Sequence, residues 1–217
     1  MEIIKRLTKT TLNSVPGFNN YFIWHGRGHT NKIALTFDDG PISGNTEKIL
    51  NILSDFNSFA TFFLIGDQLK RNPDLGNLIK KEGHCIGSHS YSHQQLNLLR
   101  KEAAVSEIIN GIKEIREIIG NDSLKWFRPP KGDLQWRLIP FLIKENIRTV
   151  FWNVDPQDYL LQCPDELFSY LTKHDYKGGE IVLLHDKIET TVNVLPKYLK
   201  YMQDINFQFV TIPELLS

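Results

Sequence analysis

Cysteine is scarce in this sequence. Only Cys85 and Cys163 occur among 217 residues, far apart and without a CxxC pattern. Two such residues exclude the disulfide framework of a small secreted domain. We interpret both as ordinary reduced thiols.

Long apolar runs and an excess of charge of either sign are also missing. No apolar run approaches the roughly 20 residues that cross a bilayer, and the N-terminus has no continuous apolar stretch typical of a secretory signal. We therefore expect a cytoplasmic protein, with contact between the N-terminal segment and a membrane surface through Lys5, Arg6 and Lys9 as a weaker alternative. The formal net charge is zero and no basic stripe occurs, which argues against nucleic acid as the main partner.

What the sequence does contain is a repeated alternation of strand-like and helix-like segments. The apolar content of 41% in 217 residues is typical of one large globular domain. Strands are predicted at 33–37, 60–66, 85–88, 125–127, 149–154, 180–185 and 207–212, and helices after residue 44 and around 73–79, 100–119, 137–145, 164–173 and 194–202. This alternation predicts a mainly parallel sheet covered by helices, either a doubly wound sheet or a (β/α) barrel.

Polar side chains follow five of the predicted strands. They are Asp38 and Asp39, His89, Arg128, Asp155 with Asp158, and His185. Each cluster alone is explained by a turn or a satisfied side chain. The carboxyl ends of parallel strands form one rim, however, and five such clusters indicate a shared site there, which favours the barrel.

The segment SHSYSH indicates a metal site. His89 and His93 are four residues apart, so a helical turn would place both imidazoles on one face, a common half-site for zinc. A carboxylate from another rim position would complete the set and leave a coordination position open. Consecutive side chains diverge at a strand end, so one of the adjacent Asp38 and Asp39 can bind the cation while the other accepts a proton from water.

In this order, TFDDGP, HSYSH, RPPKG, DPQDY and LLH resemble the five motifs of the polysaccharide deacetylases, carbohydrate esterase family four. The resemblance runs from about Ile33 to the C-terminus. It implies a distorted (β/α) barrel of about seven parallel strands in a single domain, with residues 1–30 as an N-terminal extension packing on the barrel and 31–217 as the catalytic domain. It also implies metal-dependent removal of N- or O-acetyl groups from an acetylated glycan or glycan precursor.

The resemblance implies a role for each matched position. Asp38 would be the general base and His185 the general acid. Arg128 would orient Asp38 and be braced by an aspartate of DPQDY, Asp158 in preference to Asp155. The implied metal ligands are Asp39, His89 and His93, and the implied substrate contacts are Pro130, Lys131, Asp155, Tyr159 and Leu183, with the backbone N–H of Lys131 at the oxyanion.

The donor set and two departures from the family pattern refine these expectations. Two imidazoles and one carboxylate favour Zn²⁺, although Co²⁺, Ni²⁺ and Fe²⁺ accept the same ligands. Lys131 replaces a common aromatic residue, and its ammonium group is predicted to favour an anionic glycan. Tyr159 replaces a common tryptophan and keeps an aromatic wall.

Three classes of function are compatible with these motifs. A metal-dependent sugar deacetylase is favoured. A deformylase acting on a lipid-linked sugar, an esterase or a ring-amide hydrolase would use the same site. A catalytically inactive carbohydrate-binding relative is disfavoured because Asp38, Asp39, His89, His93 and His185 are all present.

Overall fold

A computed structural model describes residues 20–28, 30–120 and 125–217. Within them eight strands form one sheet in which every pairing is parallel. The strands are β1 Phe22–Ile23, β2 Lys32–Asp38, β3 Thr61–Leu64, β4 Cys85–Ser88, β5 Trp126–Phe127, β6 Arg148–Val150, β7 Ile181–His185 and β8 Gln208–Val210. Their order is β1-β6-β5-β4-β3-β2-β7, and β8 pairs with the first half of β2.

From β2 onward at least one helix lies between successive strands, as is usual for parallel pairing, and a further helix follows β8. They are α1 Asn45–Asp55, α2 Gly66–Arg71, α3 Pro73–Lys81, α4 Lys101–Ile119, α5 Ile139–Lys144, α6 Pro164–Lys173, α7 Glu189–Asp204 and α8 Ile212–Leu215. The longest, α4, buries Ile108, Ile112, Ile115 and Ile119 on one face. It ends at Gly120, whose φ of 65° is a left-handed conformation that glycine adopts readily.

The sheet curls into an incomplete barrel. The chain beyond β6 returns to β7, where Val154 forms an isolated parallel bridge with Val182. Strands near the two ends of the strand order are thereby brought together. The distorted (β/α) barrel expected from the sequence is confirmed, and the doubly wound alternative is wrong.

Strand β2 is buried on both of its faces. Ile33, Leu35 and Phe37 belong to the large cluster between the sheet and the helices, whereas Ala34 belongs to a smaller cluster with Phe63. Side chains alternate along a strand, so Thr36 and Asp38 share the side of Ala34. The polar end of β2 is therefore directed toward the inside of the curled sheet.

The strand register brings the predicted polar residues to one end of the barrel. Asp38 is the partner of His185 across β2 and β7, and Ser88 is the partner of Phe127 across β4 and β5. The residues that directly follow these strands therefore lie at the same rim. This is the structural reason that side chains from distant motifs meet.

Three elements were not predicted from the sequence. They are α2, α8 and β1, of which β1 pairs with β6 through Phe22 and Ile23. Part of the segment 1–30 therefore belongs to the sheet, and the boundary at residue 30 stays a prediction. Residues 1–19 and 29 lie outside the described residues, and with them Lys5, Arg6 and Lys9, for which membrane contact was the weaker alternative. In the described parts of the chain, we find no helix with the length and apolar character to traverse a bilayer.

Candidate active site and metal centre

Asp38 and Arg128 form a buried ion pair at the end of β2. Arg128 Nη1 donates to Asp38 Oδ1 at 2.8 Å and to Thr36 Oγ1 at 2.7 Å. Its Nε and Nη2 donate to the carbonyl oxygens of Val150 and Phe151, each at 3.1 Å. The guanidinium group is fully buried, and these partners satisfy it on several sides, as a buried charge requires.

Aromatic rings also contact the buried arginine. The guanidinium carbon of Arg128 lies 4.1 Å from the ring centre of Phe63 and 5.5 Å from that of Trp152. Burial lowers the pKa of Arg128, and Asp38 opposes this shift through its charge and its hydrogen bond. The arginine thus fixes one oxygen of Asp38 in a single orientation.

Asp158 holds His185, which corrects one expectation from the sequence. Asp158 Oδ1 lies 2.7 Å from His185 Nδ1, and Asp158 Oδ2 accepts hydrogen bonds from the His185 backbone N–H and the Thr191 hydroxyl. The predicted bracing of Arg128 by Asp158 is wrong, because both carboxylate oxygens of Asp158 are engaged around His185. The carbonyl oxygens of Val150 and Phe151, at the end of β6, take that role instead.

The pairing with Asp158 changes the acidity of His185. Burial by itself lowers the pKa of this imidazole, but the hydrogen bond and charge of Asp158, with smaller contributions from Asp38 and Asp39, raise it above the ordinary value. His185 therefore retains a proton to higher pH than a free histidine does.

Asp39, His89 and His93 converge beside this pair. One ligand-type atom from each residue lies within 4.8 Å of the others. Asp39 Oδ1 is 3.6 Å from His89 Nε2 and 3.2 Å from His93 Nε2. The φ of 77° at Asp39 turns its side chain away from the direction of Asp38. The two adjacent carboxylates share His89 Nε2, which is also 3.6 Å from Asp38 Oδ2, but only Asp38 contacts Arg128 and only Asp39 contacts His93 and Lys187.

The hydrogen bonds of His89 leave one ring nitrogen available. Its Nδ1 lies 2.8 Å from the carbonyl oxygen of Arg128, which can only accept, so Nδ1 donates. In the neutral ring, Nε2 then presents its lone pair toward Asp39. A backbone carbonyl on the far nitrogen is a common means of orienting a metal-binding histidine.

The chain between the two histidines is not helical, contrary to the prediction. Ser90 and His93 have φ values of 67° and 59°, and the loop is held by the Ser90 hydroxyl, which accepts from the His93 N–H at 3.1 Å. Helix α4 packs closely beneath this loop, since a Cβ at Gly111 would lie 2.5 Å from the Ser90 carbonyl carbon. A loop, and not a helical turn, therefore brings the two imidazoles together.

The surroundings of Asp39 fit a cation. Its Oδ1 is buried and has no hydrogen-bond partner among the described residues, while Lys187 Nζ lies 2.7 Å from Oδ2. Burial raises the pKa of Asp39, but His89, Lys187 and His93 together lower it, so the carboxylate is ionised. Burial and the neighbouring His89 lower the pKa of His93, which favours the neutral, metal-binding form.

Asp186 is a third buried carboxylate near the rim. Its Oδ2 accepts from the Thr46 hydroxyl at 2.8 Å, and a Cβ at Gly40 would lie 2.1 Å from that oxygen. Burial raises the pKa of Asp186 to about 7, helped by the charges of Asp39 and Asp38. This contact explains the glycine of TFDDGP, because a side chain at that position would displace Asp186.

The predicted substrate contacts occupy different settings. Tyr159 is half-exposed, with its ring 5.5 Å from that of His185 in an edge-on arrangement. Lys131 is exposed, has a φ of 59° and places Nζ 3.3 Å from Gln95 Oε1. Leu183 and Pro130 are buried. These positions leave their roles in substrate binding as predictions.

Asp155 is engaged by its own loop. It accepts hydrogen bonds from Trp152 Nε1 and the Gln157 N–H, each at 3.1 Å. Neither Arg128 nor His185 is among these partners, so Asp155 supports the rim through Trp152.

Sequence reasoning missed three contributors to the site, Thr36, Lys187 and Thr191. Lys187 follows β7 by two residues, and its nearness to the predicted strand end was the available signal. Its pairing with Asp39, 148 positions earlier in the chain, depends on the adjacency of β2 and β7. No local pattern carries that information.

Comparison with known proteins agrees with this architecture. A family model described as polysaccharide deacetylase matches residues 25–150, more than half of the chain. The protein therefore belongs to the polysaccharide deacetylase family. The resemblance noted in the five motifs is confirmed.

Three individual relatives are similar to the chain over most of its length. A peptidoglycan-N-acetylglucosamine deacetylase of Bacillus cereus is 33% identical over 201 residues, which cover 90% of this chain and 93% of the relative. A crystal structure of a peptidoglycan N-acetylglucosamine deacetylase has a TM-score of 0.86 at 29% identity and covers 91% of this chain and 92% of its own. A mutant of a family-four pseudoenzyme with restored enzymatic activity has a TM-score of 0.84 at 26% identity, over 91% of this chain and 72% of its own.

Proposed function

We propose that the protein is a metal-dependent hydrolase that removes N-acetyl groups from a glycan containing N-acetylglucosamine. The observation that carries the proposal is the orphaned Oδ1 of Asp39, which faces two imidazoles next to a separately anchored Asp38. A buried acceptor without a donor costs free energy, about 1–3 kcal/mol. A cation at Oδ1 would remove that cost.

The cation centre would consist of Asp39 Oδ1, His89 Nε2 and the imidazole of His93. Three protein ligands with an open position are typical of catalytic zinc sites. A divalent cation bound here would act as a Lewis acid, lowering the pKa of a water molecule and polarising the acetyl carbonyl. Zinc is the first candidate because of its preference for this donor set.

Asp38 is the general base of this proposal. Arg128 holds its Oδ1 at 2.8 Å, and its Oδ2 is directed to the metal side, 3.6 Å from His89 Nε2. Oδ2 accepts the proton that the attacking water loses as its oxygen bonds to the acetyl carbon. The backbone N–H of Lys131 is the proposed donor to the developing oxyanion.

His185 is the general acid. As the carbon–nitrogen bond breaks, its protonated imidazole donates to the departing sugar amine, and acetate is released. Asp158 supports this role by raising the pKa of His185 and by fixing its ring. Asp38 and His185 are register partners on adjacent strands, which is compatible with their acting on the same bond.

The substrate class is proposed from the relatives and from the exposed groups at the rim. The similar Bacillus cereus protein is a peptidoglycan-N-acetylglucosamine deacetylase, so peptidoglycan fragments are the first substrates to test. The exposed ammonium of Lys131 is expected to favour fragments that carry carboxylate or phosphate.

Acetate release tests the proposal directly. Purified protein would be incubated with peptidoglycan fragments, N-acetylated chitooligosaccharides and formylated sugars, and product masses would be measured with and without a chelator. We expect acetate from an acetylated glycan, loss of release with chelator, recovery with Zn²⁺ and little release by Asp38→Asn. Acetate release that is unaffected by the chelator would contradict the metal mechanism. Release of formate alone would favour a deformylase.

The same experiment also tests the alternative that the protein is a catalytically inactive carbohydrate-binding relative. A relative with a similar fold is a pseudoenzyme in which activity was restored by mutation, so family membership does not by itself establish catalysis. Binding of an acetylated glycan without release of any acyl group, in metal-loaded protein, would favour that alternative.

A further inference from the structure

The two carboxylate oxygens of Asp39 have different surroundings. Oδ1 faces His89 and His93 and has no hydrogen-bond partner in residues 20–28, 30–120 and 125–217. Oδ2 lies 2.7 Å from Lys187 Nζ. The lysine therefore occupies the side of the carboxylate that does not face the imidazoles.

Lys187 is placed there by the fold and is not buried as part of the core. It follows His185, the last residue of β7, by two positions, and β7 lies next to β2. Its side chain is 48% exposed, whereas that of Asp39 is 6% exposed. An ammonium group in this setting keeps part of its hydration, so the lysine can hold Oδ2 without the desolvation penalty of a fully buried ion pair.

A carboxylate can bind a cation through one oxygen or through both. With both oxygens of Asp39 available, two coordination positions would be filled by one residue, and fewer would remain for water and substrate. An ammonium group beside the ligand also opposes a divalent cation electrostatically. By occupying Oδ2 and by repelling the cation, Lys187 would therefore lower the affinity of the site for a divalent cation.

We propose that Lys187 is a positioning residue that restricts Asp39 to one ligand oxygen, Oδ1, and thereby keeps the cation exchangeable and its open positions free. This inference rests on the proposed metal centre. It assigns a role to a residue outside the motifs that identify the family.

Metal affinity and coordination number test the role of Lys187 without an activity assay. The dissociation constant for Zn²⁺ would be measured by competition with a chromophoric chelator for wild type, Lys187→Met and Lys187→Arg. Methionine keeps a chain of similar length but has no charge and no donor. Because the repulsion between the ammonium and the cation is removed, we expect Lys187→Met to bind Zn²⁺ about tenfold more tightly, and Lys187→Arg to stay near wild type.

Cobalt substitution supplies the second measurement. The visible absorption of bound Co²⁺ weakens as its coordination number rises, so Lys187→Met should give weaker bands than wild type or Lys187→Arg. Lys48→Met is the matched control, because Lys48 is similarly exposed and pairs with Glu189, not with a predicted ligand. Its affinity and its spectrum should equal those of wild type, and thermal denaturation would verify that each variant is folded.

The outcomes separate the inference from the proposed function. Unchanged or weaker Zn²⁺ binding by folded Lys187→Met, with wild type binding normally, would overturn the role of Lys187 and leave the metal centre standing. Wild-type protein that binds no divalent cation would overturn both.

Discussion

Asp38 and Asp39 are consecutive in the chain and are buried to a similar degree, yet their partners differ in kind. Asp38 is anchored by the guanidinium group of Arg128, which the fold itself surrounds with oxygen acceptors and aromatic rings. Asp39 has an oxygen that faces two imidazoles and receives no donor from the part of the chain that the structure describes, and a half-exposed lysine lies on its other side. The protein satisfies one carboxylate with a buried cation, whereas it leaves one oxygen of the other open toward the imidazoles.

This difference in partners explains how two like charges can occupy adjacent positions. Arg128 offsets the charge of Asp38 from inside the barrel, and Lys187 with the histidines offsets that of Asp39 from the rim. Repulsion between the carboxylates is therefore countered separately at each. The comparison predicts that loss of the Asp38 partner Arg128 lowers stability, whereas changes around Asp39 alter cation binding and leave the fold intact.

The largest effect is expected from Arg128→Met. This change leaves Asp38 without its buried counter-charge and removes donors to Thr36, Val150 and Phe151. Breaking a buried ion pair in this way costs about 3–5 kcal/mol. Urea denaturation of the metal-free protein would measure the decrease in the free energy of unfolding.

The matched control for that variant is Arg71→Met. Arg71 Nη2 contacts Asp67 Oδ2 at 2.7 Å, a distance close to that of the buried pair, but on the exposed surface. Surface pairs contribute about 0–1 kcal/mol. Equal decreases in the free energy of unfolding for Arg128→Met and Arg71→Met would show that the buried pair of Arg128 and Asp38 stabilises the fold no more than a surface pair does.

The second prediction separates the two carboxylates by substitution with asparagine. Asp39→Asn should lose both Zn²⁺ affinity and deacetylation, with an affinity loss above the roughly 10–100-fold typical of second-sphere changes. Asp38→Asn should retain Zn²⁺ binding but lose roughly 10²–10⁴-fold in kcat, the contribution of a general base. Chelator competition and acetate release would be measured on the same preparations.

A reversed result would exchange the proposed roles. If Asp38→Asn lost the metal while Asp39→Asn retained it, Asp38 would be the ligand. Equal loss of metal in both variants would instead indicate that both carboxylates bind the ion.

The smallest effect is expected from Asp158→Asn, which should shift the pH dependence of kcat/KM. Asp158 raises the pKa of His185, and a general acid acts only while it is protonated, so kcat/KM should fall as pH rises through that raised pKa. With asparagine at 158 the pKa of His185 falls, and this alkaline limb should move to lower pH. The pH profile of kcat/KM would be recorded for both proteins.

Asp155→Asn provides the control within the same DPQDY segment. Asp155 contacts Trp152 and Gln157 but not His185, so the alkaline limb should stay in place whatever the change in rate. A shift of equal size in the two variants would mean that the limb reports general electrostatics and not the contact between Asp158 and His185.

Much of the fold could be predicted from the sequence because local signals agree with the tertiary structure. The helix predicted at 164–173 matches the bounds of α6, and the strand at 85–88 matches β4. Polar residues after parallel strands predict a shared rim, and the described structure brings Asp38, Asp39, His89, Arg128 and His185 to that rim.

Partner choice within the site could not be predicted in the same way. His89 and His93 have the spacing of a helical turn, but positive φ values at Ser90 and His93 form a loop instead. Asp158 could face either Arg128 or His185 on sequence grounds, and only the packing of its loop against β7 selects the histidine. Pairings of this kind depend on contacts between residues distant in the chain.

The strand order has a consequence for a chain emerging from the ribosome. Asp39, His89 and His93 lie between positions 39 and 93, and the arginine that anchors Asp38 follows at 128. The neighbour of β2 that ends in His185 begins nearly 150 residues after β2 begins, and Lys187 follows it. Long-range parallel pairing is slow to form, and the three proposed cation ligands are synthesised well before the strand that carries the proposed general acid.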